Sequence, residues 1–569
     1  VKEEEAAEGK EMVKDFMGRL VEKPKYGGVL NVVPVNETLG WDQTKATPYN
    51  LYPLFQICER LVQADWTKGP AGTNETTWVD SAYEPFNLQA PCLAESWEMP
   101  EPGTFTFQLR KGVHFALDPN NEASRLVGGR EMTADDVVYT LNWVYTVPTS
   151  YYINVCAKNV PTSIKALDKY TVEVKCPDPL TAPTTLFEYI QHDIRIIAPE
   201  VVEKYGDYTK WENCVGTGPF MVVDFVSNSS TTFVRNPNYW QKDPVHPENQ
   251  LPYVDGLTFL PIADVSTLLA ALRTGKVDQF EQVSLEDKDL LLRTRPDLQF
   301  MEYYELSPEC IYLRCDKPES PLYDVRVRQA MHMSIDRQAM VDNLFGGKAQ
   351  IFSHPVDPSY KDVHVPLEQQ PESVQELFEY NPDKAKQLLA EAGYPDGFKC
   401  DIISQPEYVD WVSVFKEYFA DIGVDMEIQM KEYGVWRSIG VQHSYDYMYA
   451  RNIASKVANC FFKMIYWRPP DGQNNRSCVN DPYLEERFLE FSAHYWDYEW
   501  KVEKVKELVP YVTEKCWIIQ LPNPAIYSCW QPWVKGYHGE VQQGYLSRTM
   551  WTHFVWLDQD LKAEMTGKR

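Results

Sequence analysis

Two kinds of hydrophobic pattern recur along this chain, and together they restrict it to an α/β or α+β fold. "TFTFQLR" (Thr104–Arg110) alternates apolar and polar residues with a period of two, which is typical of a half-buried strand. "NPDKAKQLLAEAGY" has a helical period instead, with Asn381 as N-cap, Pro382 in the first turn and Gly393 beyond the end. We therefore expect strands and helices joined by many turns, which the 40 prolines and 28 glycines also favour.

The length of the chain requires more than one domain. A single hydrophobic core stops growing at roughly 250–300 residues, whereas this chain has 569. Hydrophobic residues make up 44% of the sequence, so each domain can bury a core of its own. We expect roughly two to four domains.

The charge of the chain argues against nucleic-acid binding. Its 55 Lys and Arg and 82 Asp and Glu residues give a formal net charge of −27. Such a field repels the phosphates of nucleic acids and the surface of anionic membranes. It is compatible with attraction of cationic or zwitterionic solutes, and equally with simple solubility in an ionic medium.

The twelve cysteines leave two interpretations open. No pair has the C-x-x-C spacing and none lies within a few residues of a histidine, so zinc and iron–sulfur sites are not expected. In an exported protein some of them would form disulfides, and proximity in the sequence suggests Cys310/Cys315 and Cys516/Cys529. The alternative is a set of scattered buried thiols.

The N-terminal segment is charged and has a helical stripe. The chain starts with Val1 and has neither a signal-peptide core nor an apolar run long enough to cross a bilayer, so we expect a processed mature chain. Residues 1–25 place apolar side chains at helical spacing from Met12 to Val21. We predict a tether or a peripheral helix there, and a lipid anchor upstream of Val1 is compatible with it.

The adjacent aspartates Asp135 and Asp136 look like an acid pair but fit a helix start better. Thr133 and Asp136 form the S/T-x-x-D/E capping box, which satisfies free backbone N–H groups. Asp135 lies in the first turn, where the helix dipole favours negative charge. The pattern predicts a capped helix and no catalytic role for either carboxylate.

Signatures of catalysis are absent from the sequence. It has no G-x-S-x-G elbow, no H-E-x-x-H, no P-loop and no G-x-G-x-x-G. We therefore expect neither an enzyme nor a bound cofactor or metal ion. A protein that binds and releases a solute is the interpretation that remains.

A series of blocks resembles, in the correct order, the solute-binding proteins of bacterial and archaeal ABC importers, family 5, the peptide/nickel-type group. The resemblance spans roughly residues 26–560 and rests on nine blocks. They are "YGGVLNV", "LAESWEMPEPGTFTFQLRKGVHF", "GREMTADDVVYTL", "GTGPFMVVDF", "VRNPNYW", "LPYVDGLTFLPIAD", "SPLYDVRVRQAMHMSIDRQAMVDNLFGGKA", "YNPDKAKQLLAEAGYPDGF" and "FADIGVDMEIQM".

The resemblance implies a two-lobed α/β clamp of the periplasmic-binding-protein type (type II, cluster C) that closes on a solute between its lobes. It would deliver the solute to an ABC permease, act as a monomer, and lie in the periplasm or on the cell surface. Its implied lobes are lobe I at 26–60, 200–297 and 525–569, an extra subdomain of lobe I at 61–199, and lobe II at 298–524. The implied hinge strands lie near Gln299–Glu305 and Trp517–Asn523.

The resemblance leaves the solute open. Peptide binders of this family hold the solute's ammonium with an Asp shortly after a "YD…W" strand. The corresponding stretch here, Tyr445–Phe462, lacks that Asp and has Arg451 and Asn452 nearby. A cation repels an ammonium group and favours a carboxylate. An oligopeptide or peptide-like solute comes first on family frequency, an oligosaccharide second and a nickel chelate third.

Aromatic side chains are the other candidate ligand contacts, because they stack on sugars and on peptide planes. Most of the 17 tryptophans and 35 tyrosines must still be core residues. The candidates come from the end of the extra subdomain's helix, from the implied hinge and from lobe II. They are Tyr151, Tyr152, Tyr303, Tyr304, Trp436 and Tyr449.

Overall fold

A computed structural model describes residues 10–34, 38, 40–46, 51–79, 88–156, 159–183, 190, 193–305, 307–453, 467, 474–543 and 548–567. The chain divides into two compact units. The first unit contains residues 1–303 and 527–569, and the second contains residues 304–526. The chain thus leaves the first unit after Tyr303 and returns to it at Tyr527.

Helices occur throughout the described residues. None of them combines the length and the apolar character that crossing a lipid bilayer requires. The α-helices are α1 Leu54–Ile57, α2 Glu122–Val127, α3 Ala134–Thr146, α4 Tyr151–Cys156, α5 Pro199–Tyr205, α6 Val265–Arg273, α7 Leu285–Thr294, α8 Val325–Met333, α9 Arg337–Leu344, α10 Glu372–Phe378, α11 Pro382–Glu391, α12 Val409–Asp421, α13 Tyr433–Gln442, α14 Pro482–Ala493, α15 Tyr498–Lys515 and α16 Gln559–Thr566.

Strands occur in both units. Those at the N-terminal end are β1 Met12–Lys14, β2 Leu20–Glu22, β3 Val29–Val32, β4 Val62–Ala64, β5 Gln89–Pro91, β6 Ala94–Glu101, β7 Thr104–Leu109, β8 Ser163–Asp168 and β9 Thr171–Lys175. They are followed by β10 Phe220–Val226, β11 Ser230–Arg235, β12 Gly256–Phe259, β13 Gln279–Val283, β14 Gln299–Tyr304, β15 Glu309–Leu313 and β16 Ala349–Gln350. The last are β17 Phe398–Ser404, β18 Val424–Met430, β19 Met448–Asn452, β20 Ile518–Gln520, β21 Asn523–Trp530, β22 Val534–Lys535 and β23 Trp556–Leu557.

The main sheet of the first unit has the strand order β10-β11-β12-β3-β13-β21-β14. β10 and β11 form an antiparallel hairpin with Phe220 opposite Arg235, whereas β12 and β13 each run parallel to β3. The helix α6 connects β12 to β13 and buries Leu268 and Leu272 in the core beside the sheet. Parallel strands joined through a helix are the expected α/β arrangement.

The buried carboxyl group of Glu59 joins distant segments of the first unit. Three of its donors belong to the blocks "GTGPFMVVDF" and "VRNPNYW", so these blocks meet at one side chain. Burial raises the pKa of Glu59 to about 7, and its hydrogen bonds oppose that rise. Its donors are Thr217 Oγ1 at 2.8 Å, Tyr239 OH at 3.0 Å, Trp240 Nε1 at 2.9 Å and Cys92 Sγ at 3.7 Å.

A smaller sheet with the order β6-β7-β9-β8 lies earlier in the first unit, and α3 packs against it. The helix starts where the sequence predicts. The Asp136 carboxylate accepts the Thr133 N–H at 2.7 Å and is also paired with the Arg130 guanidinium at 2.6 Å. Asp136 is buried while Asp135 is exposed. Asp136 therefore caps the helix, and Asp135 is a solvent-exposed residue of its first turn.

We expect Asp136→Ala to lower the free energy of unfolding by about 1–2 kcal/mol, since it removes both the helix cap and the ion pair with Arg130. Thermal denaturation followed by circular dichroism measures the change. Asp135→Ala is the matched control and should shift the midpoint little. Equal losses in the two variants would contradict the capping role.

The second unit is built on the sheet β18-β17-β19-β15-β20. β17 is parallel to β18 and β19, whereas β15 is antiparallel to β19 and β20. Helices α8, α11, α12, α13, α14 and α15 contribute side chains to one core with these strands. The sheet and its helices make this unit α/β as well.

The N-terminal segment differs from its prediction, because described residues 10–25 contain a hairpin where a peripheral helix was expected. β1 and β2 pair antiparallel. Between them the Asp15 carboxylate accepts the N–H groups of Met17 and Arg19, both at 2.9 Å, and Gly18 has φ +80°. This turn reverses the chain, so the apolar residues with helical spacing lie on two strands. Residues 1–9 lie outside the described part.

The two disulfides suggested by sequence proximity are absent. The Cys310 thiol donates to the Arg451 carbonyl at 3.1 Å, and the Cys315 thiol donates to the Leu313 carbonyl at 2.9 Å. Cys516 and Cys529 lie in the cores of different units. All described cysteines are free thiols, namely Cys58, Cys92, Cys176, Cys214, Cys310, Cys315, Cys400, Cys478, Cys516 and Cys529, while the side chains of Cys156 and Cys460 lie outside the description.

Candidate functional site

The strand β19 carries three of the predicted ligand contacts. Tyr449 is buried, Arg451 is half-buried and Asn452 is exposed, so the strand passes from the core of the second unit to its surface. The remainder of the stretch 445–462 in which an ammonium anchor was sought lies largely outside the described residues, from 454 onward. The C-terminal end of β19 therefore reaches the surface of this unit at Asn452.

Trp436 and Tyr449 are core residues of the second unit. Their rings stack with centroids 5.3 Å apart, and Trp436 is only 5% exposed. The Trp436 indole N–H donates to the Ala450 carbonyl at 3.1 Å, and the Tyr449 hydroxyl donates to the Trp436 carbonyl at 3.1 Å. A Cβ at Gly440 would lie 2.4 Å from the Tyr449 ring, so α13 approaches β19 closely. The structure thus assigns both rings to packing α13 on β19.

A carboxylate stands beside the exposed end of β19, on the neighbouring strand. Asn452 pairs with Glu309 in the antiparallel ladder, and Arg451 pairs with Cys310. Burial raises the pKa of the Glu309 carboxyl to about 7, and the nearby charges of Glu305 and Glu407 add to the rise. A neighbouring cation stabilises the ionised form of a carboxyl group whose pKa is raised in this way.

Sequence reasoning missed Glu309 because it searched for the anchor on β19 itself. The only local signal was a Glu directly before the apolar strand "CIYL", in "SPECIYL". Nothing in the sequence shows that this Glu faces Asn452, since the two residues are 143 positions apart and meet only when β15 pairs with β19. Glu309 and Asn452 share one face of this sheet, whereas Arg451, paired with Cys310, belongs to the other face. The described edge thus combines a carboxyl from β15 with an amide from β19.

The remaining predicted tyrosines are distributed over both units. Tyr152 is buried in the first unit, and its hydroxyl donates to the Asp193 carbonyl at 3.4 Å. Tyr151 is half-buried and packs edge-on against it, with ring centroids 5.6 Å apart. Tyr303 is buried in the first unit, whereas Tyr304 is half-buried and begins the second. Tyr151 and Tyr304 keep exposed surface, while Tyr152 and Tyr303 are largely core.

The first unit contains a small cavity that the sequence did not suggest. It lies where β3 ends beside its parallel neighbour β13, and the carboxyl ends of parallel strands are the usual ligand edge of an α/β sheet. Its volume of about 10 Å³ suits one water molecule. It is lined by Val32, Val33, Pro34, Tyr52, Gln279, Glu281, Arg548, Thr549 and Trp551.

An ion pair forms one wall of this cavity. The Arg548 guanidinium Nη1 lies 2.9 Å from Glu281 Oε1. The Arg548 side chain is 17% exposed and that of Glu281 only 5%. Within the described residues, no group of three or more His, Cys, Asp or Glu side chains could hold a metal ion.

The architecture matches solved structures of periplasmic binding proteins. The periplasmic binding protein DppA from Helicobacter pylori, in complex with the peptide STSA, superposes with a TM-score of 0.69 over 94% of this chain and 99% of that chain, at 21% sequence identity. This likeness shows the fold alone. The chain therefore has the two-lobed α/β fold of that class, as the resemblance implied.

The family model for bacterial extracellular solute-binding proteins, family 5 (middle), matches residues 89–473. The chain belongs to this family, which confirms the assignment made from the nine blocks. Heme-binding protein A of Haemophilus influenzae is 29% identical over 56% of each chain. The glutathione-binding protein GsiB of Salmonella typhimurium is 28% identical over 60% of this chain and 61% of its own. The matches thus span little more than half the length of these relatives.

Proposed function

We propose that this protein captures an oligopeptide or a peptide-like solute outside the cytoplasm and delivers it to an ABC importer, without acting on it as an enzyme. The observation that carries the proposal is the edge of the second unit where the half-buried carboxyl of Glu309 on β15 lies opposite the exposed Asn452 at the end of β19. Membership of family 5 gives the general role, and this edge suggests the chemistry of the solute.

A peptide suits such an edge better than a neutral sugar does. Its ammonium group is a cation for Glu309, and its carbonyl or carboxylate oxygens are acceptors for the amide of Asn452. A neutral oligosaccharide offers no cation to the Glu309 carboxylate and would have to desolvate it without compensation. Arg451, the cation that we expected to repel an ammonium group, belongs to the opposite face of the sheet from Glu309, so it does not oppose an ammonium group bound by Glu309.

The relatives support the same choice without deciding it. GsiB is named for glutathione, which is itself a peptide, and DppA was solved with a peptide. Heme-binding protein A is named for a different solute, so the family accommodates more than one chemistry. Tyr151 and Tyr304 are the aromatic candidates that keep surface for stacking on peptide planes.

The remaining parts of the proposal follow the family. We propose a monomer that works in the periplasm or at the cell surface, with lobes and an extra subdomain at the boundaries predicted from the sequence. Attachment by an N-terminal lipid belongs to the same proposal. The ABC permease in the membrane is the partner that would receive the solute.

Mass spectrometry of solutes released by denaturing the purified protein tests this function. Where the protein is purified empty, it is first incubated with an equimolar mixture of short peptides and oligosaccharides and then dialysed. We expect peptides or other molecules that carry a primary amine. Hexose oligomers would support the oligosaccharide alternative, which the many aromatic residues favour, and would contradict the peptide proposal.

A further inference from the structure

The ion pair between Glu281 and Arg548 lines the small cavity at the carboxyl end of β3. Glu281 is on β13 beyond the point where that strand pairs with β3, since the pairing is at Gln279 and Val32. The cavity at this end of β3 is lined on one side by Arg548, which in the described part of the chain is the cavity's one positively charged lining residue. A guanidinium placed at the carboxyl end of β3, where that strand stops beside the start of β13, is a binding group for an anion.

The two partners of the pair are not equivalent. Glu281 is 5% exposed and sits on a sheet strand, so it is held in place, whereas Arg548 is 17% exposed on a segment without regular structure. The long arginine side chain can therefore turn toward the cavity mouth while Glu281 stays where it is. The cavity itself has room for about one water, so a larger group is bound only when Arg548 moves.

We propose that Arg548 is a specificity-determining residue that binds a carboxylate of the solute, and that Glu281 holds this arginine in the empty state as an internal competitor. The solute carboxylate replaces Glu281 as the acceptor of the guanidinium. The proposal deepens the proposed function, because it rests on a solute that carries a carboxylate.

The test compares the dissociation constants of the tetrapeptide STSA and of its C-terminal amide by isothermal titration calorimetry. For the wild type we expect the free acid to bind about 10–100-fold more tightly than the amide, the factor that a charge-assisted hydrogen bond gives. In Arg548→Gln the two should bind within about twofold of each other. In Glu281→Gln the preference for the acid should rise above the wild-type value, because the competitor is neutralised. Arg125→Gln, an exposed arginine of the same unit, is the matched control.

The ratio of the two constants separates recognition from a structural role. If the ion pair only stabilises the fold, both variants lose melting temperature and keep the wild-type ratio, which overturns the proposal. If the ratio is lost in Arg548→Gln but unchanged in Glu281→Gln, Arg548 binds the carboxylate and Glu281 does not compete for it.

Failure of the proposed function gives a different result, namely that the wild type binds neither peptide. The same ratio is then measured with the released solute and its methyl ester. A solute without a carboxylate, or the absence of any solute, contradicts the role of Arg548.

Discussion

Trp436→Ala is expected to lower the free energy of unfolding by about 3–5 kcal/mol, as truncation of a buried tryptophan usually does. The side chain is 5% exposed, stacks on Tyr449 and donates its indole N–H to the Ala450 carbonyl. Its removal leaves a cavity between α13 and β19 and an unpaired carbonyl. For a unit of this size the melting temperature should fall by about 10 °C, as measured by differential scanning calorimetry.

Trp496→Ala is the matched control, because Trp496 belongs to the same unit and is 42% exposed. Its melting temperature should stay within about 2 °C of the wild type. The sequence suggested the opposite result for Trp436, namely loss of solute binding in a stable protein. Such an outcome would place Trp436 in the ligand site and contradict the core assignment.

Glu309→Gln is expected to weaken binding of a peptide with a free N-terminus by about 10–100-fold at pH 7.5, since an ionic hydrogen bond to the ammonium is lost. Isothermal titration calorimetry with the solute that mass spectrometry identifies measures the change. Glu417→Gln, which alters an exposed glutamate of the same unit, should bind like the wild type. Equal affinities in the wild type and Glu309→Gln would remove Glu309 from the site.

The pH dependence of binding gives an independent check on Glu309. The pKa of its carboxyl is raised to about 7 by burial and by the charges of Glu305 and Glu407, so the group binds a proton below neutrality. An ammonium group needs the ionised form, so affinity should fall by up to about tenfold for each pH unit below 7. Above a pH of about 8 the α-amino group itself loses its proton. Glu309→Gln should abolish the decrease on the acid side.

The stability of the empty protein should respond to Glu309 in the opposite direction. A carboxyl whose pKa is higher in the folded than in the unfolded protein stabilises the fold below its unfolded pKa of 4.5. That contribution is lost as the pH rises toward 7. Acidification from pH 7 to pH 5 should therefore weaken binding while Glu309 makes the fold more stable, a combination that general acid denaturation does not give.

Local signals predicted much of the fold. Thr133 and Asp136 define the start of α3, Asn381 and Gly393 bound α11, and the alternation at Thr104–Arg110 gives β7. Each of these signals lies within a few residues of the feature it specifies, so a single sequence suffices to find it. The order of the blocks then gave the family, since their arrangement is specific even where each block alone is not.

Features that depend on distant contacts were not predictable in this way. The apolar spacing of Met12 to Val21 fits a helix, but the turn around Asp15 places these residues on two strands. The helical pattern around Trp436 does not show which of its faces meets β19. Glu309 lies at its candidate site because β15 pairs with β19. Arg548 lies at its own because the C-terminal segment returns to the first unit. These contacts exist only once the chain is folded.

The central claim is that the solute is recognised by its free ammonium group at the edge formed by β15 and β19. Titration of the wild type with one peptide and with its N-acetylated form at pH 7.5 tests it most directly. The two ligands differ in the charge and size of one terminus and share every other group. We predict that the acetylated peptide binds at least about tenfold more weakly. Equal binding of both, or tighter binding of the acetylated form, would contradict the proposed mode of recognition.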